Sequence, residues 1–322
     1  MFSEKLLVLL STFSKYDLNR FRKFLLSPYF NEQEDLIRLF DLCNIAIRKG
    51  PDVVATLDKN QVWRGLYPGK KFDDAHLRRL ASDLTQLALQ FKALETRAQN
   101  PVQEWLELQK SLEQPELSKH LSGVERQVKK NMEESALPAT TYYLTGFQLH
   151  WNIFNRASKV VSNTDFMQKM LPADQFLDYF YIVQKLKFYV SWLIYQGFRA
   201  TEEKVPIPAG FWDYLKNERF ESVPLIAIYQ DAILSLSHPE EEEHFTRLLD
   251  KLDRLAHGLA KEDLRECYYI AQNYCAFKVN QGKTEYYQVF FSLFKNIIRL
   301  GILLENNQLS EGVFKNMITI SL

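Results

Sequence analysis

Apolar residues recur along this chain at steps of three and four and nowhere sustain an alternation of two, so the pattern predicts helices throughout and no strands. At the N-terminal end, Ser3 can cap a helix to about Phe13, and Asp17 a second that carries Leu18, Phe21, Phe24 and Leu25. Ser27-Pro28-Tyr29-Phe30 breaks that helix. Asn31 with Glu34 then has the spacing of a capping box for a third helix bearing Leu36, Leu39, Phe40, Cys43 and Ile47. After a short helix near residues 61–66, Asp73 or Asp74 opens a long one to about Arg97, in which Leu77, Leu80, Leu84, Leu87, Phe91 and Leu94 alternate by three and four. Ala81 and Ala88 widen this stripe, which favours packing on the N-terminal helices of the same chain over the competing reading, a dimerising coiled coil.

Asn100-Pro101 is the best boundary, giving an N-terminal helical domain over residues 1–98 and a second domain over 99–322. Pro101 and Pro115 each sit where a proline begins a helix, and a later helix near 140–159 presents Tyr143, Phe147, Trp151 and Phe154. Pro172 is expected to open the most apolar helix, to about Phe198, with an exposed strip reduced to Gln184, Lys187 and Ser191. Shorter helices are expected near 209–218 and 223–236. His238-Pro239 then starts an acidic helix whose first turn, residues 240–243, complements the helix dipole. A closing helix from about Ser310 carries Val313, Phe314, Met317 and Ile318. It stops at Leu322 without a polar cap, which predicts that the native chain continues or that this end docks on another subunit.

The stretch 264–300 organises the second domain. Leu264, Tyr268, Ala271, Cys275 and Val279 line one face of a helix, and Ile270, Tyr274 and Phe277 an adjacent one, so neighbours are needed on two sides. Asn280-Gln281-Gly282 makes the turn and Thr284 can cap a second helix. In that second helix Tyr286, Phe290, Leu293, Ile297 and Leu300 form one stripe, Phe291, Phe294 and Ile298 another, and Gln288, Ser292, Lys295 and Arg299 a narrow solvent face. The run from Tyr268 through Cys275, then Gln281-Gly282-Lys283 and an aromatic helix, resembles the helix-turn-helix of tetratricopeptide and pentatricopeptide repeats. Tyr287 stands near the position where the tetratricopeptide pattern has a small residue, and Gly301 falls about a turn later than a pentatricopeptide unit would place it. The resemblance implies an all-α chain whose second domain is an α-solenoid of stacked antiparallel helix pairs.

Composition narrows the function. With 40 basic and 40 acidic side chains the formal charge is zero, which argues against a dedicated nucleic-acid or anionic-membrane surface. The 23 Phe and 16 Tyr suit the gaps between stacked helices. Cys43, Cys267 and Cys275 are too sparse for a disulfide framework and read as buried structural thiols. Residues 6–10 lack a signal-peptide context, and the apolar window 188–195 is far short of the ~20 residues of a membrane crossing. A cytoplasmic, non-membrane protein is expected.

Candidate chemistry is thin. Glu241 and His244, three apart, have the spacing of a helical di-iron ligand pair, but no second such pair exists, so no metal is expected and the cluster reads as a dipole-favoured helix start. Gly69-Lys70-Lys71 lacks the rest of a phosphate-binding loop, and no nucleotide, nucleophile-elbow or zinc motif occurs. The expectation is therefore no enzyme, no cofactor and no catalytic residue, and a scaffold that binds a peptide or partner helix through aromatic anchors and charged rims. The alternative is nucleic-acid binding by a pentatricopeptide-like face or by the N-terminal basic helices, where Lys70, Lys71, Arg78 and Arg79 are offset by Asp73, Asp74 and Asp83. In tetratricopeptide-like arrays the first hairpin helix lines the groove, so that resemblance nominates Tyr269, Gln272, Asn273 and Lys278 as the binding surface.

Overall fold

The computed structural model describes all residues except 1, 99, 113, 159–164, 200–206, 221, 305–307, 310–313 and 315–322. The described residues are helical, with no strand and no helix long and apolar enough to cross a membrane. They divide into two compact units, Met1–Glu104 and Trp105–Leu322. The division falls inside a helix, Pro101–Ser111, just past the proline that starts it. The closing helix expected from Ser310 lies outside the described residues, Phe314 apart.

The first unit contains α1 (Glu4–Ser11), α2 (Lys15–Leu25), α3 (Glu34–Lys49), α4 (Pro51–Thr56), α5 (Lys59–Leu66) and α6 (Asp74–Ala98), and α7 (Pro101–Ser111) begins at its end. Ser14, not Asp17, caps α2: its hydroxyl accepts the Asp17 N–H while the Asp17 carboxylate accepts the Ser14 N–H, a reciprocal capping box that holds the Asp17 carboxyl below its ordinary range. Asn31 does not cap α3. It is buried, with its amide donating to the carbonyls of Leu25 and Gln33, so it ties the end of α2 to the entry of α3. Asp73 caps α6 through the His76 N–H. The α6 seam is filled from within the unit: Leu77, Leu80, Ala81, Leu84, Ala88 and Phe91 are buried against α1, α2, α3 and α5. Phe91 meets Phe13, Phe21 and Phe24 at ring separations of 5.7, 5.3 and 5.7 Å. Each large apolar side chain so buried contributes about 1.5–3 kcal/mol, which is why the heptad pattern is spent on this core.

The second unit contains α8 (Ser118–Glu134), α9 (Ala139–Ser158), α10 (Phe166–Arg199), α11 (Phe211–Tyr214), α12 (Pro224–Ser237), α13 (Glu242–Leu255), α14 (Lys261–Asn280) and α15 (Tyr286–Arg299). Pro115 begins a 3-10 turn that leads into α8. Pro172 lies inside α10 and does not open it, since the residues before it are already helical. The hydrogen bond that a proline forfeits there is offset by the close packing of α9 on α10, where Gly146 sits against the ring of Phe176. The acidic helix likewise starts later than its charges suggest, at Glu242, because residues 238–241 form a turn.

Consecutive helices pack on one another in this unit, α9 on α10, α12 on α13 and α14 on α15, and α12 and α13 both also pack on α14. α14 buries both expected stripes up to Phe277 and Val279, which are partly buried, and α15 buries Tyr286, Phe290, Leu293 and Ile297. Gln288, Ser292, Lys295 and Arg299 face solvent as their spacing predicts, joined by Phe291 and Ile298. Both helices end in paired bonds that reach back across the last turn: Lys283 N–H to Lys278 O and Gly282 N–H to Val279 O, then Ile302 N–H to Ile297 O and Gly301 N–H to Ile298 O. These are Schellman ends, which need the positive φ of Gly282 (86°) and Gly301 (64°). Lys187, expected on the exposed strip of α10, is mostly buried and paired with Asp263 and Glu266 of α14, while Phe188, Tyr181 and Leu177 of α10 are exposed.

Candidate functional site

Within the second unit an open groove of about 730 Å³ runs along α12. Gln230, Leu234 and Ser237 recur at four and three residues and turn one face of that helix toward it, with Ile233 and Asp231 at its edges. α10 contributes Tyr189 and α11 Trp212, whose ring lies 5.6 Å from the tyrosine's at a 55° tilt. α11 is one turn long. Gly210, at φ 79°, makes the sharp approach to it, and Phe211 anchors it in the core. Trp212 is thereby left half in solvent beside Leu234, and together they give the groove an accessible apolar wall.

The polar end is built around Asp231, a carboxylate in the middle of a largely apolar helix. It is buried and takes two cations from α13, Arg247 Nε at 3.3 Å and Lys251 Nζ at 2.5 Å. Lys251 also donates to the Ala227 carbonyl at 3.0 Å, and Arg247 reaches Glu243 at 2.7 Å. Lys216 lines the groove from the residues after α11 and pairs with Asp213 at 2.8 Å, both in solvent. The hydrogen bond between them holds the lysine above and the aspartate below their ordinary values.

At the far end of α12 stands His238. Its ring, Glu240 and Glu241 bring their ligand atoms within 4.8 Å of one another, a set that could hold a cation, although all three lie in solvent. His244 does not join them as a further ligand. Arg247 donates to its Nδ1, so the hydrogen sits on Nε2 and points at Glu241, 2.9 Å away.

The residues nominated from the sequence are placed differently. Tyr269 is exposed on α14. Gln272 is buried with both amide atoms unpartnered, and Asn273 is buried with its amide donating to Tyr269 O at 2.8 Å. Asn273 also lines a small pocket of about 100 Å³ with Leu193, Ile194, Leu236, Pro239 and Phe277. Lys278, expected in solvent, is buried: it donates to the Pro239 carbonyl at 2.9 Å, pairs with Glu242 at 2.7 Å and lies over the rings of Tyr274 and Tyr286. Burial alone would lower this lysine, but Glu242 and Tyr274 outweigh it and the net shift is upward. Since Tyr274 also donates to the Pro239 carbonyl, Lys278 pins the turn that carries His238 and does not line a groove.

What sequence reasoning missed is the groove along α12. A signal for it exists in Asp231, a lone acid among Ile226, Ile228, Ala232 and Ile233, which burial would strand without cations from a neighbouring helix. Arg247 and Lys251, four apart on the next helix, are those cations. No protein-family model, curated protein or solved structure matches this chain.

Proposed function

We propose that this protein is a non-catalytic interaction scaffold of the cytoplasm, whose second unit is an α-solenoid of stacked helix pairs and binds a peptide or partner helix in the groove along α12. The observation that carries this reading is the combination in one open groove of accessible apolar side chains, Trp212 and Leu234, with charged groups at its edge, Lys216 and Lys251. Aromatic anchors ringed by charge are the arrangement by which helical surfaces hold a protein segment. The layered packing of α12 on α13, of both on α14 and of α14 on α15 supports the solenoid, because each pair supplies the apolar surroundings of the next. Three free, buried thiols are in keeping with a reducing compartment.

The test is affinity capture from the source cell with the full chain and with Leu234→Asp, a change at a position already over a third exposed (36%) and therefore tolerable to the fold. Proteins retained by the wild type and lost by the variant, identified by mass spectrometry, are the expected result. An identical set on both baits removes the groove from the reading. Capture dominated by RNA or DNA, with a steep loss on raising salt, replaces it with nucleic-acid binding.

A further inference from the structure

The charge along the groove has a direction. Near the middle of α12, one buried carboxylate, Asp231, sits between two cations, Arg247 and Lys251, and Glu243 engages Arg247 in turn, so the cation that this cluster presents to the groove lining is Lys251, its side chain 25% exposed. Lys251 donates to the Ala227 carbonyl and is ion-paired with Asp231, while its side chain lines the groove. Lys216 adds a second cation to the lining, and its partner Asp213 is an exposed i,i+3 neighbour of the kind that exchanges at little cost. Asp231 is the one acid among the groove's lining residues, and it is already compensated twice.

The opposite end is acidic. Seven residues along α12 from Asp231, about 10 Å at the helical rise, His238 is met by Glu240 and Glu241 beside the helix's C-terminal carbonyls. An anion is therefore favoured at the Lys251 end and disfavoured at the His238 end. Between them lies the apolar wall of Tyr189, Trp212 and Leu234.

Resting on the scaffold reading, we infer that the segment this groove takes is acidic: one large aliphatic or aromatic side chain seated against Trp212 and Leu234, with an Asp or Glu beside it placed on Lys251 and Lys216. The carboxylate accepts a hydrogen bond from Lys251 Nζ, and the apolar side chain covers the exposed part of the indole.

The experiment is selection of displayed random 12-residue peptides on the full chain, with counter-selection on Leu234→Asp. Affinities of the enriched peptides are then measured by fluorescence anisotropy against Lys251→Gln and Lys216→Glu. Expected are peptides that pair an apolar residue with Asp or Glu, lose affinity roughly tenfold on Lys251→Gln, as removal of a charged hydrogen bond does, and weaken further with salt. Lys216→Glu, at a solvent-exposed position, should weaken the same peptides even if Lys251→Gln disturbs the fold. Enrichment of basic or uncharged peptides that still depend on Leu234 overturns the acidic assignment and leaves the scaffold reading standing. Absence of any Leu234-dependent peptide overturns both.

Discussion

Replacing Asp263 with alanine probes the polar link that holds three helices of the second unit together. One oxygen of this buried carboxylate accepts the Ala139 N–H at 2.6 Å, at the start of α9, and the other accepts Lys187 Nζ of α10 at 3.0 Å. Lys187, whose side chain is 13% exposed, also reaches Glu266 at 2.7 Å. The alanine variant removes the more deeply buried partner of that lysine and leaves the first N–H of α9 without an acceptor. Breaking a buried pair by deleting one member costs about 3–5 kcal/mol. Glu266, itself 36% exposed and so partly screened, still compensates the lysine, which places the expected loss at about 3 kcal/mol. Asp263→Asn keeps an acceptor for Ala139 and should cost less, about 2 kcal/mol. The double variant Lys187→Met with Asp263→Asn removes both charges, and should fall short of the sum of its singles by about 1–3 kcal/mol. Urea unfolding of the full chain followed by circular dichroism reads these values, with the transitions of the two units fitted separately. The pH dependence has a definite sign. Burial would lower Lys187, but Glu266 and Asp263 raise it further, so its folded value lies above its unfolded one. Its contribution is then fully present below the unfolded value of about 10.4 and is lost as pH rises through the folded value. The gap between wild type and Lys187→Met should hold constant through neutral pH and narrow only in strong alkali. An Asp263→Ala variant within about 1 kcal/mol of wild type, or a strictly additive double, would refute the reasoning.

Other consequences rest on single contacts. Gly146→Ala drives a methyl into the ring of Phe176 and should destabilise the second unit by about 1–3 kcal/mol, read from the same urea curves. Leu84→Ala, at a fully buried position of the α6 seam, should cost about 2–5 kcal/mol in the first unit while leaving the elution volume in size-exclusion chromatography unchanged, because that seam is spent within its own unit. Burial pushes the thiols of Cys43 and Cys275 up to about 12 and that of Cys267 higher still, so none should react with a thiol reagent at pH 8 until the chain is unfolded, when all three should react. Lys278→Met should loosen the turn at Pro239 and cost about 1–3 kcal/mol, and a variant as stable as wild type would show that the Tyr274 hydroxyl alone holds it.

The helices were legible because burial writes a period into the sequence: α6, α14 and α15 bury most of the stripes that their spacing marks out, Leu94, Phe291 and Ile298 being left exposed, and Gly282 ends α14 in the conformation its turn requires. Their starts were less so. Ser14 and Asp17 are equally plausible caps until the chain's direction into the helix decides which oxygen meets which N–H, and Asn31, a good cap by type, accepts instead the N–H of Gln33 ahead of α3. The candidate site was the least legible part, for a reason that concerns polar residues in a helical pile. Periodicity assigns Gln272, Asn273 and Lys278 to solvent because they interrupt apolar stripes, yet α14 is enclosed by α10, α12, α13 and α15, and its polar side chains are buried with it. In a helix covered on several sides a polar residue signals a hydrogen bond or ion pair across a helix interface, as Lys278 with Glu242 and Asp263 with Lys187 show. Accessible side chains lie instead on helices covered on fewer sides, and there they take an apolar form: Trp212 and Leu234, apolar residues that periodicity alone does not mark as exposed, line the groove along α12.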